Sequence, residues 1–439
     1  MTHISATPPV EFGLDTFGDV TAAADGTLHH HAQVLRDVVE EGVLADRLGL
    51  HFFGVGEHHR PDFAVSAPEV VLAAIAARTE RIRLGSAVTV LSSDDPIRVY
   101  QRFSTLDAVS RGRAEVILGR GSFTESFPLF GYDLRQYEEL FEEKLGLLAA
   151  LLEERPVTWS GHTRPPLRDQ AVYPPVEHGR LRAWVGVGGS PDSVVRAARL
   201  GFPLMLAIIG GSPARFAPLV DLYHRALERL GRPRPPVGAH SPGHVAETDE
   251  EAREQLWPHH AALMNRIGAE RGWPPITRAH FEREAGPHGA LFVGSPETVA
   301  QKVAATVRVL GLSRFDMKYS SGTLPHAAMM PRGPAEISRP PRGCALPGAG
   351  IRSAPASPRH LACSPLLPHR AASGPSTGSA CGPSTPRRSG ASSRWRRRPC
   401  SRRWSPPCCS WRSSASPSGA PAPAWAACRS CSSWHRGSS

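Results

Sequence analysis

The chain has 439 residues, with 51 basic and 40 acidic side chains and a formal charge of +11, but residues 331–439 hold 17 Arg, no Lys and one acid, Glu336. That end carries +16 and residues 1–330 carry −5, so the body is mildly acidic and offers no electrostatic ground for a nucleic-acid or membrane partner. All eight cysteines lie after residue 340, which excludes a disulfide framework for the body and suits a reducing cytoplasm.

The N-terminal MTHISATPPV has neither a basic start nor an apolar core, so no signal peptide is expected, and no apolar run is long enough for a membrane span. From residue 11 short apolar runs alternate with amphipathic segments. The runs are EFGLDTF (11–17), HFFGVGE (51–57), IRLGSAVTVL (82–91), AEVILGRG (114–121), AWVGVGG (183–189), FPLMLAII (202–209), PVGAHSPGHVA (236–246) and RFDMKYSSG (314–322). Helical patterns lie between them, several closing on a glycine (Gly49, Gly112, Gly201, Gly311) suited to a left-handed C-cap. Apolar strands each followed by a helix indicate a parallel sheet, and eight such units fit a (β/α)8 TIM barrel with insertions at 155–182 and about 266–295. A doubly wound open sheet is the alternative; it has fewer strands and often a dinucleotide fingerprint, which is absent.

Chemistry is expected where barrel strands end. The second run ends in Glu57-His58-His59. Adjacent strand residues point to opposite faces, so the histidines diverge; no HExxH or other ligand spacing supports a metal, and packing or general acid–base work remain. The third run is small at Gly85, Ser86 and Ala87, which either leaves room for a flat group or packs tightly. The fourth ends in Leu118-Gly119-Arg120-Gly121-Ser122, an arginine between glycines that suits a phosphate or a salt bridge. The fifth ends in Gly186-Val187-Gly188-Gly189-Ser190-Pro191-Asp192-Ser193 before a helix, either a phosphate nest or a glycine turn with an N-cap.

After the eighth run PHAAMM (325–330) starts a final helix that Pro331, Gly333 and Pro334 stop, so the last helix is expected to be missing or aberrant. Residues 331–439 lack Val, Phe, Tyr, Lys, Asp, Asn, Gln and Met altogether. Such a segment cannot bury enough apolar surface to offset its ordering entropy and reads as a disordered tail, with the composition of an out-of-frame translation. Within it ASSRWRRRPCSRRW (391–404) interleaves Arg with Trp395 and Trp404, a pattern for nucleic acid that is weaker than its reading as a solvated charge run. Cys428, Cys431 and His435 lack the second cysteine pair of a zinc site.

Taken together, GEHHRPDF, RIRLGSAVTVLSSDDPIRVYQRFSTLDAVSRGR, ILGRGSFTESFPLFGYD and VGGSPDSVVRAARLGFPLML resemble the luciferase-like monooxygenase family over about residues 10–330. That family includes bacterial luciferase subunits and flavin- or deazaflavin-dependent oxidoreductases. The resemblance implies that His58 sits by the flavin ring and assists its oxygen chemistry; Glu57, next to it in sequence, is expected as its orienting partner. The resemblance also implies that Arg120 contacts the cofactor phosphate with Gly188, Gly189, Ser190 and Ser193, and that Ala87–Val88 is a non-proline cis peptide supporting the ring. The reactive cysteine of light-emitting members is Gly119 here, which argues against luminescence. The activity implied is oxidation of a small organic substrate by O2 with reduced FMN; lacking a dinucleotide fingerprint, the chain is expected to receive reduced flavin from a separate flavin reductase, with NAD(P)H bound directly over the flavin as the alternative. Hydride transfer by a deazaflavin enzyme is the alternative. Without a final helix the flank of the first and eighth strands is left bare, a reason to expect pairing with a second copy.

Overall fold

The computed structural model describes residues 9–177 and 179–330. Within them eight parallel strands close on themselves: β1 (Glu11–Thr16), β2 (Phe52–Val55), β3 (Arg83–Val90), β4 (Ala114–Gly119), β5 (Arg182–Val187), β6 (Leu204–Ala207), β7 (Val237–Val245) and β8 (Arg314–Lys318). Each pairs with the next, and β8 returns to β1 with Lys318 opposite Asp15. That closing pair makes the sheet a TIM barrel and rules out the open doubly wound alternative. The Arg- and Ser-rich segment 331–439, with its cysteines and the 391–404 stretch, lies outside the described residues.

Helices α1 (His31–Arg47), α2 (Pro68–Ala76), α3 (Pro96–Ser110), α4 (Tyr137–Leu151), α5 (Pro191–Leu200), α6 (Ala217–Arg229), α7 (Asp249–Arg271) and α8 (Pro296–Leu310) lie between the strands, the last two both between β7 and β8. Their boundaries follow local chemistry. Asp95, Ser190 and Ser295 cap α3, α5 and α8, each followed by a proline whose missing N–H would have had no helical partner. Gly49, Gly112, Gly201 and Gly311 take the expected left-handed backbone, with φ of 78°, 80°, 77° and 62°.

Two insertions differ in place and content from expectation. Residues 155–182 form a small antiparallel hairpin, Val157–Trp159 with Leu167–Gln170, and lead from α4 into β5. They therefore lie on the N-terminal side of the barrel, away from the strand ends where chemistry is expected. The second insertion begins earlier than 266: it leaves β7 at 246 and holds α7, a short helix Arg278–Ala285 and a strand Phe292–Gly294 paired to the far end of β7. The 23-residue α7 was hidden because it buries only Ala252, Leu256 and Gly268, carries Pro258 inside, and so has no apolar stripe to read. The last described helix is one turn, His326–Met329. On the outer face of β1, Phe12 is 38% exposed.

The N-terminal half of the barrel is plugged. Arg314, fully buried, lies between Glu115 and Asp316, with its guanidinium 3.5 Å from the Phe52 ring centre. Glycines make the room: a Cβ on Gly85 would stand 2.8 Å from the Phe52 ring, and one on Gly13 2.2 Å from Asp316 Oδ1. Tight packing thus accounts for Gly85. A cleft of about 310 Å3 bordered by Leu152, Arg180, Trp184, Phe202 and Pro236 opens beneath this plug, on the side opposite the strand ends that carry the candidate residues.

Candidate functional site at the mouth of the barrel

At the C-terminal end of β2 Gly56 lies against Phe17, where a Cβ would meet that ring at 2.4 Å. Side chains then alternate. Glu57 accepts from the Val90 N–H (3.0 Å) and from His59 Nε2 (2.9 Å). The expected pairing of Glu57 with His58 is therefore incorrect: the carboxylate ties β2 to β3 and holds the other histidine, whose ring stands edge-on to Phe130. His58 lies in an aromatic cage, its ring centre 4.7 Å from Phe17, 4.3 Å from Phe63 and 5.4 Å from Phe123. Its Nδ1 is buried and has no partner among the described residues. Burial pushes its pKa down to about 3, so the imidazole is neutral at ordinary pH.

Across the mouth, the loop after β4 brings Arg120 to the start of α5. Arg120 Nη2 donates to Ser193 Oγ at 3.4 Å, while Nη1 is held by Glu138 and the guanidinium lies over Tyr137. Ser190 caps the same helix by accepting the Ser193 N–H. Arg196, one turn on, also donates to Ser193 Oγ and pairs with Glu142. Beside them Gly188 and Gly189 face open space, with no atom within 4 Å of a Cβ added to either. Residues 73 positions apart in sequence thus share one corner of the mouth.

Residues 16–314, well over half of the chain, match the family described as luciferase-like monooxygenase. The chain belongs to the luciferase-like monooxygenase family. Among curated relatives it is similar to N-acetyl-S-alkylcysteine monooxygenase of Bacillus subtilis (strain 168), 32% identical over 180 residues that make up 40% of this chain and 52% of that protein. It is also similar to limonene 1,2-monooxygenase of Rhodococcus erythropolis, 37% identical over 231 residues, 50% of this chain and 58% of that protein. The chain thus spans little more than half the length of these two relatives. Its fold is that of a monooxygenase from Streptomyces bottropensis (TM-score 0.62, 23% identity, 73% of this chain and 95% of that one). The oxygenating constituent of the Pseudomonas putida 3,6-diketocamphane monooxygenase, solved in complex with FMN, is similar too (TM-score 0.58, 17% identity, 71% and 92% covered). So is an F420-dependent secondary alcohol dehydrogenase (TM-score 0.58, 16% identity, 72% and 95% covered).

In this luciferase-like chain the Ala87–Val88 peptide is cis. Val88 packs over the ends of β4 and β5: a Cβ on Gly119 would stand 2.5 Å from Val88 Cγ2, and one on Gly186 3.4 Å from Val88 Cγ1. Glycine at 119 is thus a packing requirement of this wall.

The other wall of the mouth was missed by sequence reading. His240 on β7 is hydrogen-bonded through Nδ1 to Asp15 Oδ2 on β1 at 2.7 Å. Lys318 on β8 reaches Asp19 Oδ2 at 2.9 Å and the Ser320 carbonyl, with its Nζ 4.6 Å from the Phe17 ring centre. Burial pushes the Asp19 carboxyl up, but Lys318 and hydrogen bonds from Ser320 and Gly322 outweigh it and hold it below its usual value. The signal was a charged residue inside an apolar strand run, Asp15 in EFGLDTF and Lys318 in RFDMKYSSG. Among the described residues no group of three or more His, Cys, Asp or Glu is placed to hold a metal, and no helix is long and apolar enough to cross a membrane.

Proposed function

We propose that this protein is an oxygen-incorporating oxidoreductase that oxidises a small organic molecule in the mouth of the barrel, with reduced FMN as cofactor. The observation that carries this reading is the corner where Arg120 meets Ser193 beside the open backbone of Gly188 and Gly189. A phosphate monoester needs a cationic fork, hydroxyl groups and room to approach the backbone, and Arg120, the Ser190 and Ser193 hydroxyls and the open space at Gly188 and Gly189 support this reading. In this reading Arg120, Ser190, Ser193, Gly188 and Gly189 hold the phosphate, and Ala87–Val88 supports the ring. When bound, reduced FMN supplies the two electrons and the site at which O2 is activated.

The remaining steps belong to side chains. His58 is neutral and its Nδ1 has no partner among the described residues, so in this reading it is the group that takes or gives a proton during turnover. Phe17, Phe63 and Phe123 around it keep water from the reacting centre. Glu57 acts at one remove, fixing the β2–β3 junction and His59. Reduced flavin comes either from a separate reductase or from NAD(P)H bound over the flavin in the mouth itself. The names of the two curated relatives, both monooxygenases, support the reaction class.

The test is to purify the full chain and identify the cofactor it retains or takes up, by absorbance and mass. FMN is expected; a deazaflavin in its place moves the reading to hydride transfer without oxygen. Binding of neither overturns the function. His58→Ala is expected to keep flavin affinity and lower turnover by roughly a hundredfold or more; unchanged turnover removes His58 from the proton steps.

A further inference from the structure

His240 and Asp15 are inward-facing residues on β7 and β1 that meet across β8. A carboxylate can only accept, so His240 Nδ1 carries the proton in their 2.7 Å contact. That fixes the orientation of the ring and turns Nε2 to the mouth, and a buried carboxylate on Nδ1 favours the imidazolium, which carries an N–H on both nitrogens. Nε2 has no hydrogen-bond partner among the described residues and is not sealed from solvent, while Nδ1 of His58 is sealed. The His240 side chain is 12% exposed and its partner Asp15 only 1%. The imidazole therefore rests on a rigid, buried support and shows one edge to the mouth.

Its position separates it from the cofactor corner. Going round the barrel, Ala87–Val88, Arg120 and Ser193 belong to β3, β4 and the start of α5, whereas β7, β8 and β1 form the other half. Between the two halves lies Phe17, with the His58 ring 4.7 Å from its centre and the His240 ring nearly parallel (15°) at 6.1 Å. The two histidines beside this ring are shifted in opposite directions. Burial alone would lower the His240 pKa, but Asp15, with Asp316 further off, outweighs both burial and Lys318 and raises it. His58 is driven the other way by burial. Two titratable groups pushed apart by their surroundings mark two separate roles.

We propose that His240 is the substrate-side hydrogen-bond donor of this site, held by Asp15 and presenting Nε2–H to an acceptor oxygen of the organic substrate. The substrate class that fits has an apolar body, to meet the partly exposed Phe17 beside it, and bears a carbonyl or carboxylate oxygen. Asp15 is a positioning residue in this scheme; it acts through His240. The assignment rests on the mouth of the barrel being the oxidation site, as proposed above.

The experiment uses the full chain loaded with FMN and two pairs of isosteric probes, cyclohexanone against methylenecyclohexane and acetophenone against α-methylstyrene. Each pair differs only in C=O against C=CH2. Titration calorimetry is expected to show the ketone binding roughly tenfold tighter or more, the effect of one hydrogen bond from a charged donor. His240→Leu is expected to reduce that preference to near one, with FMN affinity unchanged. Asp15→Asn keeps the shape and is expected to shrink the preference. In the same samples the His240 imidazole, followed by NMR, is expected to titrate above an ordinary histidine and to drop in Asp15→Asn. No preference for the ketone in either pair, including no binding of any probe, overturns the assignment, as does a titration that Asp15→Asn leaves unmoved. Failure of the wild type to bind FMN strikes the function proposed above; retained FMN with no ketone preference strikes only His240.

Discussion

Arg120 Nη2 and Ser193 Oγ stand 3.4 Å apart, and Glu138 holds the other arm of the same guanidinium. A carboxylate on an arginine suited to phosphate is a competitor for it. Arg120→Ala is expected to weaken FMN binding about ten- to a hundredfold, the worth of a charged hydrogen-bond donor. Glu138→Gln is expected to tighten it, by only about two- to fivefold, because Glu138 is half exposed and its pair with Arg120 is correspondingly screened. Quenching of FMN fluorescence reads both. If Arg120→Ala binds flavin as the wild type does, the phosphate lies elsewhere.

The buried, neutral His58 makes stability depend on pH in a definite sense. Its folded pKa, about 3, lies below the ordinary 6.5, so between these values the unfolded chain binds a proton that the folded chain does not. Stability therefore falls on acidification from about 6.5 towards 3, by at most ~1.4 kcal/mol per pH unit. Asp316 has the opposite sign: burial raises its pKa from 3.8 to about 6, so its contribution is lost as pH rises through that range. The two overlap, and the bare pH profile of the wild type mixes them. The informative quantity is the difference between wild type and His58→Leu in urea unfolding at a series of pH values. The variant is expected to gain on the wild type as pH drops; a constant difference from pH 7 to 4 shows that His58 titrates normally and is not caged.

Much of this was readable in the sequence, for a physical reason. Barrel strands are buried on both faces, so β1 to β8 appear as eight apolar runs, and the [Ser/Asp]-Pro starts and glycine ends mark where helices begin and stop. α7 escaped because a helix that covers little apolar surface leaves no periodic trace. Glu57 was matched with the wrong histidine because adjacency in sequence does not say which of two alternating side chains turns towards the carboxylate; residue i+2 lies on the same face, and that is His59. The His240–Asp15 pair joins positions 225 apart, and only barrel closure brings them together.

Gly119 offers a test of local packing. Val88 Cγ2 occupies the space 2.5 Å from where its Cβ would be, and Val88 is fixed between Gly119 and Gly186. Gly119→Ala is expected to cost about 1–3 kcal/mol, the usual penalty for overpacking a filled site. Val88→Ala in the same chain is expected to restore most of it, so the pair is strongly non-additive in a double-mutant cycle read by denaturant unfolding. Additive effects place the clash somewhere other than on Val88.

Arg314 carries the sharpest stability prediction because it is wholly buried. Burial opposes its charge, yet Asp316 and Glu115 outweigh this and keep the guanidinium ionised, with the Phe52 and Trp184 rings against it. Its pair with Asp316 closes at 2.7 Å and both carboxylates are almost wholly buried. Such a cluster adds little over a well-packed apolar one, but removing one member strands the others. Arg314→Met therefore leaves Glu115 and Asp316 facing each other without a cation and is expected to cost about 3–5 kcal/mol in urea unfolding. Replacing all three by apolar residues of similar volume is expected to recover most of that loss, since the penalty lies in the stranded charge and not in the missing contact. A single variant within about 1 kcal/mol of the wild type means that water or a shifted Arg83, 3.5 Å from Glu115, takes over the charge.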